Sequence, residues 1–179
     1  MANVRQEIVG WAKWGVVNHN KFTYSEGSDR MHSIGTKAGT LPITCDCSAF
    51  VTLCYFWAGA PDPNGLGYDH EGYTGTLLAH GIKIPLEQVL PGDVIVYGPD
   101  TGWHTALVIE SGSDPLTVSM GKQGDPSLVR VSQDGRLPQT YLRFSTIKPN
   151  PVKKVVLAPL KAIQKHLPAS KVVQPFKKA

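Results

Sequence analysis

Between Leu90 and Phe144 the sequence reads as closely spaced short apolar runs joined by short turns. Leu90-Pro91-Gly92-Asp93 launches the run Val94–Tyr97, Pro99-Asp100-Thr101-Gly102 leads into His104–Glu110, and Ser111–Pro115 leads into Leu116–Met120. Connections this short join antiparallel neighbours, since a parallel pair needs a crossover of about a dozen residues or more. Val129–Val131 and Tyr141–Phe144 read as later short strands. The first half has a different period. Val4, Ile8, Trp11 and Gly15 share one helical face, so residues 3–17 read as an amphipathic helix that ends near Asn18-His19-Asn20. Asp46 is a natural cap for a second helix, with Phe50, Val51, Cys54 and Trp57 or Ala58 as its apolar stripe and Gly59 and Pro61 as its stop. Thr74–His80 reads as a short third helix, and residues 20–44 and 61–73 as loops. Helices first and hairpin strands afterwards predict an α+β domain with an antiparallel sheet.

Charge divides the 179 residues into two parts. Residues 148–179 hold eight Lys and no Asp or Glu, a segment charge of +8, while residues 1–147 carry 10 Lys or Arg against 14 Asp or Glu. Five of the 14 prolines also lie beyond residue 147. The expected organisation is therefore a mildly acidic domain over 1–147 and a basic, Pro-containing tail or linker over 148–179. Val156, Leu160, Ile163 and Leu167 would make one stripe of a short amphipathic helix in that tail, suited to an anionic wall polymer or a membrane surface. Nucleic acid is not expected as a partner, because the domain is acidic and the tail has a single aromatic, Phe176. No apolar run approaches the roughly 20 residues of a membrane-spanning helix. The N-terminus shows no secretory signal, so the three Cys are expected as thiols in a reducing cytoplasm.

Two residues stand where chemistry is easiest to install. Cys47 sits at the predicted start of the second helix, whose positive end favours a thiolate, and His104 opens a strand directly after a Gly-containing turn. A thiol and an imidazole so placed are the parts of a nucleophile and its base. Cys54 lies in the apolar stripe and reads as core, and Cys45 falls outside the helix. Cys45-x-Cys47 is too tightly spaced for a zinc knuckle and no H-x(3–5)-H partner exists, so neither a metal nor a cofactor is expected.

Thr44-Cys45-Asp46-Cys47-Ser48-Ala49-Phe50-Val51, Leu90-Pro91-Gly92-Asp93-Val94-Ile95-Val96-Tyr97 and His104-Thr105-Ala106-Leu107-Val108-Ile109 together resemble the NlpC-type, papain-like cell-wall cysteine peptidases. The resemblance covers most of residues 20–145. It implies Cys47 as nucleophile, His104 as general base, and an oxyanion or substrate-positioning role for Tyr24 and Asp46. The family places a third polar residue on the next strand; here Met120 stands at the expected place, and Ser119 and Gln123 are the candidates to orient the imidazole. The implied function is a peptidoglycan hydrolase, endopeptidase or amidase, cutting a stem-peptide amide through a thioester. The compact domain, the lack of a secretory signal and the basic tail together resemble a bacteriophage lysin, expected in the host cytoplasm before its release to the wall, or in the virion. The alternatives are a non-catalytic phage structural or wall-binding protein with the same fold, and acyl transfer to an acceptor other than water.

Overall fold

The computed structural model describes residues 4–121 and 125–145. The basic tail and Gln123 lie outside the described residues. Helix α1 (Val4–Val17) leads through a short 3-10 turn to strand β1 (Phe22–Tyr24), which pairs in parallel with β2 (Ile43–Cys45). Helix α2 (Cys47–Trp57) and helix α3 (Thr74–His80) follow. The remaining strands are β3 (Ile82–Ile84), β4 (Val94–Tyr97), β5 (His104–Glu110), β6 (Leu116–Met120), β7 (Pro126–Arg130) and β8 (Gln139–Arg143), with a short helix α4 (Val131–Asp134) before β8. They form one six-stranded antiparallel sheet in the order β3-β8-β4-β5-β6-β7.

The expected α+β architecture is the observed one, with α1, α2, α3, β4, β5 and β6 where sequence periodicity places them. Three short strands were not legible. β1 and β2 lie inside the segment read as a loop, and β3 is an edge strand with Ile82 and Lys83 exposed. Three-residue strands show too little alternation to be recognised. Val129–Val131 corrects to a strand ending at Arg130, because Val131 starts the turn of α4.

Both helices pack on one face of the sheet. Ile8, Trp11 and Ala12 of α1 join Phe50, Val51 and Cys54 of α2 over Val94, Val96, Leu107, Val118 and Met120. The aromatic side chains meet edge to face, with Trp11–Trp57 centroids 5.1 Å apart and Phe22–Phe50 centroids 5.9 Å apart, the arrangement ring quadrupoles favour. Gly15 allows this approach, since a Cβ there would sit 2.8 Å from the Phe50 ring. Ile95, Tyr97, Ala106, Val108, Val131 and Tyr141 form a smaller cluster on the opposite face.

Asp93 of the Pro-Gly-Asp turn is a structural anchor. Its carboxylate has no exposed side-chain surface and accepts from Arg5 of α1 at 2.6 Å, from Arg143 of β8 at 2.7 and 3.1 Å, and from the Leu90 N–H at 2.8 Å. The Tyr55 hydroxyl of α2 donates to Gly92 O at 2.8 Å. One turn thereby ties α1, α2 and the sheet together. Removing one side of a buried ion pair strands the rest, at a cost of about 3–5 kcal/mol. Asp93→Ala should therefore lower the unfolding free energy by about 3 kcal/mol or more in urea titrations. A loss within about 0.5 kcal/mol, the range of an ordinary surface substitution, would contradict the anchor.

Candidate active site

Cys47 opens α2 because Asp46 ends the preceding strand in extended conformation and caps the helix. The Asp46 Oδ1 accepts from Ala49 N at 2.6 Å and from the Ser48 hydroxyl at 2.8 Å. Arg30 reaches in from the long loop, 3.3 Å from Asp46 Oδ2 and 3.4 Å from Ser48 Oγ. These contacts make Asp46 a helix cap with its oxygens already engaged. Nearly all of α2 is buried, and the Cys47 side chain lies against the start of β5, where the Thr105 backbone hydrogen-bonds its sulfur.

Burial governs this thiol. It pushes the Cys47 pKa up to about 12, the Asp46 charge adds to the rise, and the backbone hydrogen bonds of Thr105 and Ser48 oppose it. The positive end of the helix does not outweigh these effects, so the resting side chain is a thiol.

His104 is buried too, at 4% exposure. It pairs with Tyr97 across β4–β5, and the two rings stack with centroids 5.8 Å apart and planes 25° from parallel. Its Nε2 lies 2.7 Å from the Ser119 hydroxyl on β6. Burial first, and then the Arg136 charge, lower its pKa to about 4. Strand alternation explains the partner. Ala106 and Ser119 face each other in register, so His104 and Ser119 share a side of the sheet. Met120 points the other way, into the core beneath the helices.

Leu107 and Ile109 face the helices, whereas the His104 ring lies on the Tyr97 side. Among the described residues no hydrogen bond joins the Cys47 sulfur to the His104 ring. The Thr105 backbone is next to the thiol, and the His104 ring is held by Tyr97 and Ser119.

Tyr24 pairs with Cys45 in the β1–β2 ladder, and its hydroxyl donates to Glu26 at 2.8 Å. Burial first, and then that hydrogen bond, raise its pKa. Cys45 and Cys54 are buried free thiols in the core. Among the described residues no group of three His, Cys, Asp or Glu side chains is arranged to hold a metal ion. Sequence reasoning missed Tyr97, Arg30 and Arg136. The hairpin through Pro99–Gly102 carried the signal for Tyr97, because a turn of that length sets it opposite His104.

No family model matches the chain. The peptidoglycan endopeptidase RipA of Mycolicibacterium smegmatis is 32% identical over 111 residues, which is 62% of this chain. The chain spans about a fifth of that relative's length, 21%. Among solved structures, RipD of Mycobacterium tuberculosis, described as a non-catalytic NlpC/p60 domain protein adapted to peptidoglycan binding, superposes with a TM-score of 0.55. Identity to it is 19%, covering 80% of this chain and 98% of that one. The NlpC/p60 domain of the peptidoglycan hydrolase SagA gives a TM-score of 0.52 at 20% identity, covering 80% of this chain and all of that domain, 100%. The domain therefore has the NlpC/p60 fold, and in sequence it is similar to the peptidoglycan endopeptidase RipA.

The buried imidazole makes stability depend on pH. A folded pKa near 4 lies below the 6.5 of a free His, so the stabilisation is complete above pH 6.5. It is lost as pH falls towards 4, because the unfolded chain takes up a proton that the folded one refuses. A depression of this size corresponds to on the order of 3 kcal/mol. Unfolding titrations at pH 7 and pH 4 should show that extra loss in the wild type and its absence in His104→Gln. Equal losses in both proteins would mean that His104 is not held neutral by the fold.

Proposed function

From an NlpC/p60 fold with a thiol at the start of α2, we propose that this domain is a peptidoglycan hydrolase cleaving a stem-peptide amide through Cys47. The observation that carries the reading is the His104–Ser119 contact of 2.7 Å at the end of β5 that meets the Cys47 helix. A hydroxyl on the neighbouring strand supplies the imidazole with the orienting partner that a cysteine–histidine mechanism needs. When Nε2 donates to Ser119, Nδ1 is left as the basic nitrogen.

The reaction then runs from a neutral pair. As the Cys47 sulfur attacks the carbonyl carbon, its proton passes to His104, and the oxyanion collects backbone N–H groups at the start of α2. His104 returns the proton to the departing amine as the C–N bond breaks, leaving a thioester. Water activated by the same imidazole hydrolyses it to the free acid and the thiol. The proton transfer needs the Cys47 thiol in hydrogen-bond contact with His104, and a rotation of either side chain on substrate binding would supply it. Tyr24 can join the oxyanion site once its hydroxyl leaves Glu26. Asp46 positions the nucleophile by capping α2.

Incubation with purified sacculi, followed by mass spectrometry of released fragments, tests the reading. Cys47→Ala should fold and release nothing, and the fragments from the wild type identify the bond. Ser119→Ala should lower kcat by about tenfold, the equivalent of one hydrogen bond of about 1.4 kcal/mol, and leave KM nearly unchanged. Activity retained in Cys47→Ala would refute the thiol mechanism. A second reading, wall binding without cleavage, is favoured by the lack of a Cys47–His104 hydrogen bond among the described residues; it predicts that the wild type binds sacculi and releases no fragments.

The setting we propose is a bacteriophage lysin, and it rests on the composition of residues 148–179. With +8 charge, that segment suits anionic wall polymers. Deleting it should weaken binding to intact walls, more at low salt than at high salt, and leave cleavage of small muropeptides unchanged. Wall binding that is equal with and without it at every salt concentration would remove the targeting role.

A further inference from the structure

Beside His104 lies an exposed patch that the chemistry above does not use. Trp103 is 69% exposed, and so is Leu137 at 69%. The indole is nevertheless fixed. Its backbone N–H donates to Tyr97 O at 2.7 Å, and its ring lies over Gly98, where an added Cβ would come within 2.8 Å of ring carbons. Gly98 has a φ of +98° and donates in turn to Pro138 O at 2.9 Å, which brings the segment Arg136-Leu137-Pro138 to the same place.

Arg136 adds a cation to this rim. Its side chain is 45% exposed and is steadied by Asp134 at 2.7 Å, through Nη1. A guanidinium has five N–H donors, so most of its capacity for a carboxylate is left open. Its charge is felt by both His104 and Tyr97. A water-facing indole and a cation at the same end of the sheet suit a ligand with an apolar body and an acidic group.

We propose that Trp103, Leu137 and Arg136 form the substrate rim on the His104 side of the site. Trp103 and Leu137 pack against the stem peptide, and Arg136 binds a free carboxylate on the residue whose amine departs. The placement follows from the role of His104 as the acid that protonates that amine. The assignment of the ligand as a stem peptide rests on the hydrolase reading. The selectivity it adds is for the free acid over the carboxamide form of the same peptide.

The experiment is calorimetric titration of the Cys47→Ala protein, which cannot turn over, with one disaccharide-tripeptide prepared as free acid and as amide. The free acid should bind about tenfold more tightly, the value of about one charge-assisted hydrogen bond. Arg136→Gln should abolish that preference and leave the affinity for the amide unchanged, and Arg136→Lys should restore part of it. Trp103→Ala should weaken both forms by about tenfold, in keeping with loss of an aromatic anchor. Trp103 is exposed, so Trp103→Ala should melt with the parent protein, and Arg136→Lys, which keeps a cation beside Asp134, controls for loss of that ion pair. Equal affinity for the two forms, no binding of either, or variants that bind like the parent would overturn the proposal. Cleavage of the same peptides by the wild type is read separately. Selective binding by Cys47→Ala without wild-type cleavage would keep the rim and refute the hydrolase.

Discussion

The start of α2 lies against the second residue of β5, and the arrangement of the site follows from that contact. A helix buried on nearly every side has little freedom to slide, and its N-terminus is fixed by the Asp46 cap, by Arg30 and by the Thr105 backbone. The sheet side is fixed by Asp93, whose carboxylate holds Arg5 and Arg143 and the turn into β4. The Pro-Gly-Asp motif thus acts at a distance from the chemistry, since it sets the position of β4 and so of the β5 strand that carries His104.

Burial is what gives the site its protonation state. A helix start favours a thiolate by at most about 2 kcal/mol, whereas a desolvated charge costs several. Desolvation and the neighbouring Asp46 win, and the Cys47 pKa goes up to about 12. The same burial takes His104 down to about 4. The free domain therefore holds a neutral thiol and a neutral imidazole, and proton transfer has to accompany attack on the carbonyl. Substrate that brings the thiol and the imidazole into hydrogen-bond contact also places the charges where they can stabilise each other.

Much of this was legible because turn residues and helix caps are local signals. Asp46 before Cys47, Gly92 and Asp93 before Val94, and the Pro99–Gly102 turn before His104 each fixed an element end. The candidates Ser119 and Met120 needed one further step. Strand alternation puts successive side chains on opposite faces, and the β5–β6 register decides which one meets the imidazole. That register depends on a bulge between Val108 and Glu110, which periodicity does not reveal. The Arg30–Asp46 and Arg136–His104 relationships were hidden for a different reason. Both arginines come from irregular loops, whose paths depend on tertiary contacts and carry no period.

The most direct test is to trap the covalent intermediate. Wild-type protein mixed with a soluble muropeptide and quenched rapidly in acid should gain the mass of the acyl fragment on the peptide containing Cys47. Hydroxylamine should remove that mass, as it does from a thioester. Fragment release with no adduct on Cys47, or an adduct on Cys45 or Cys54, would contradict the account.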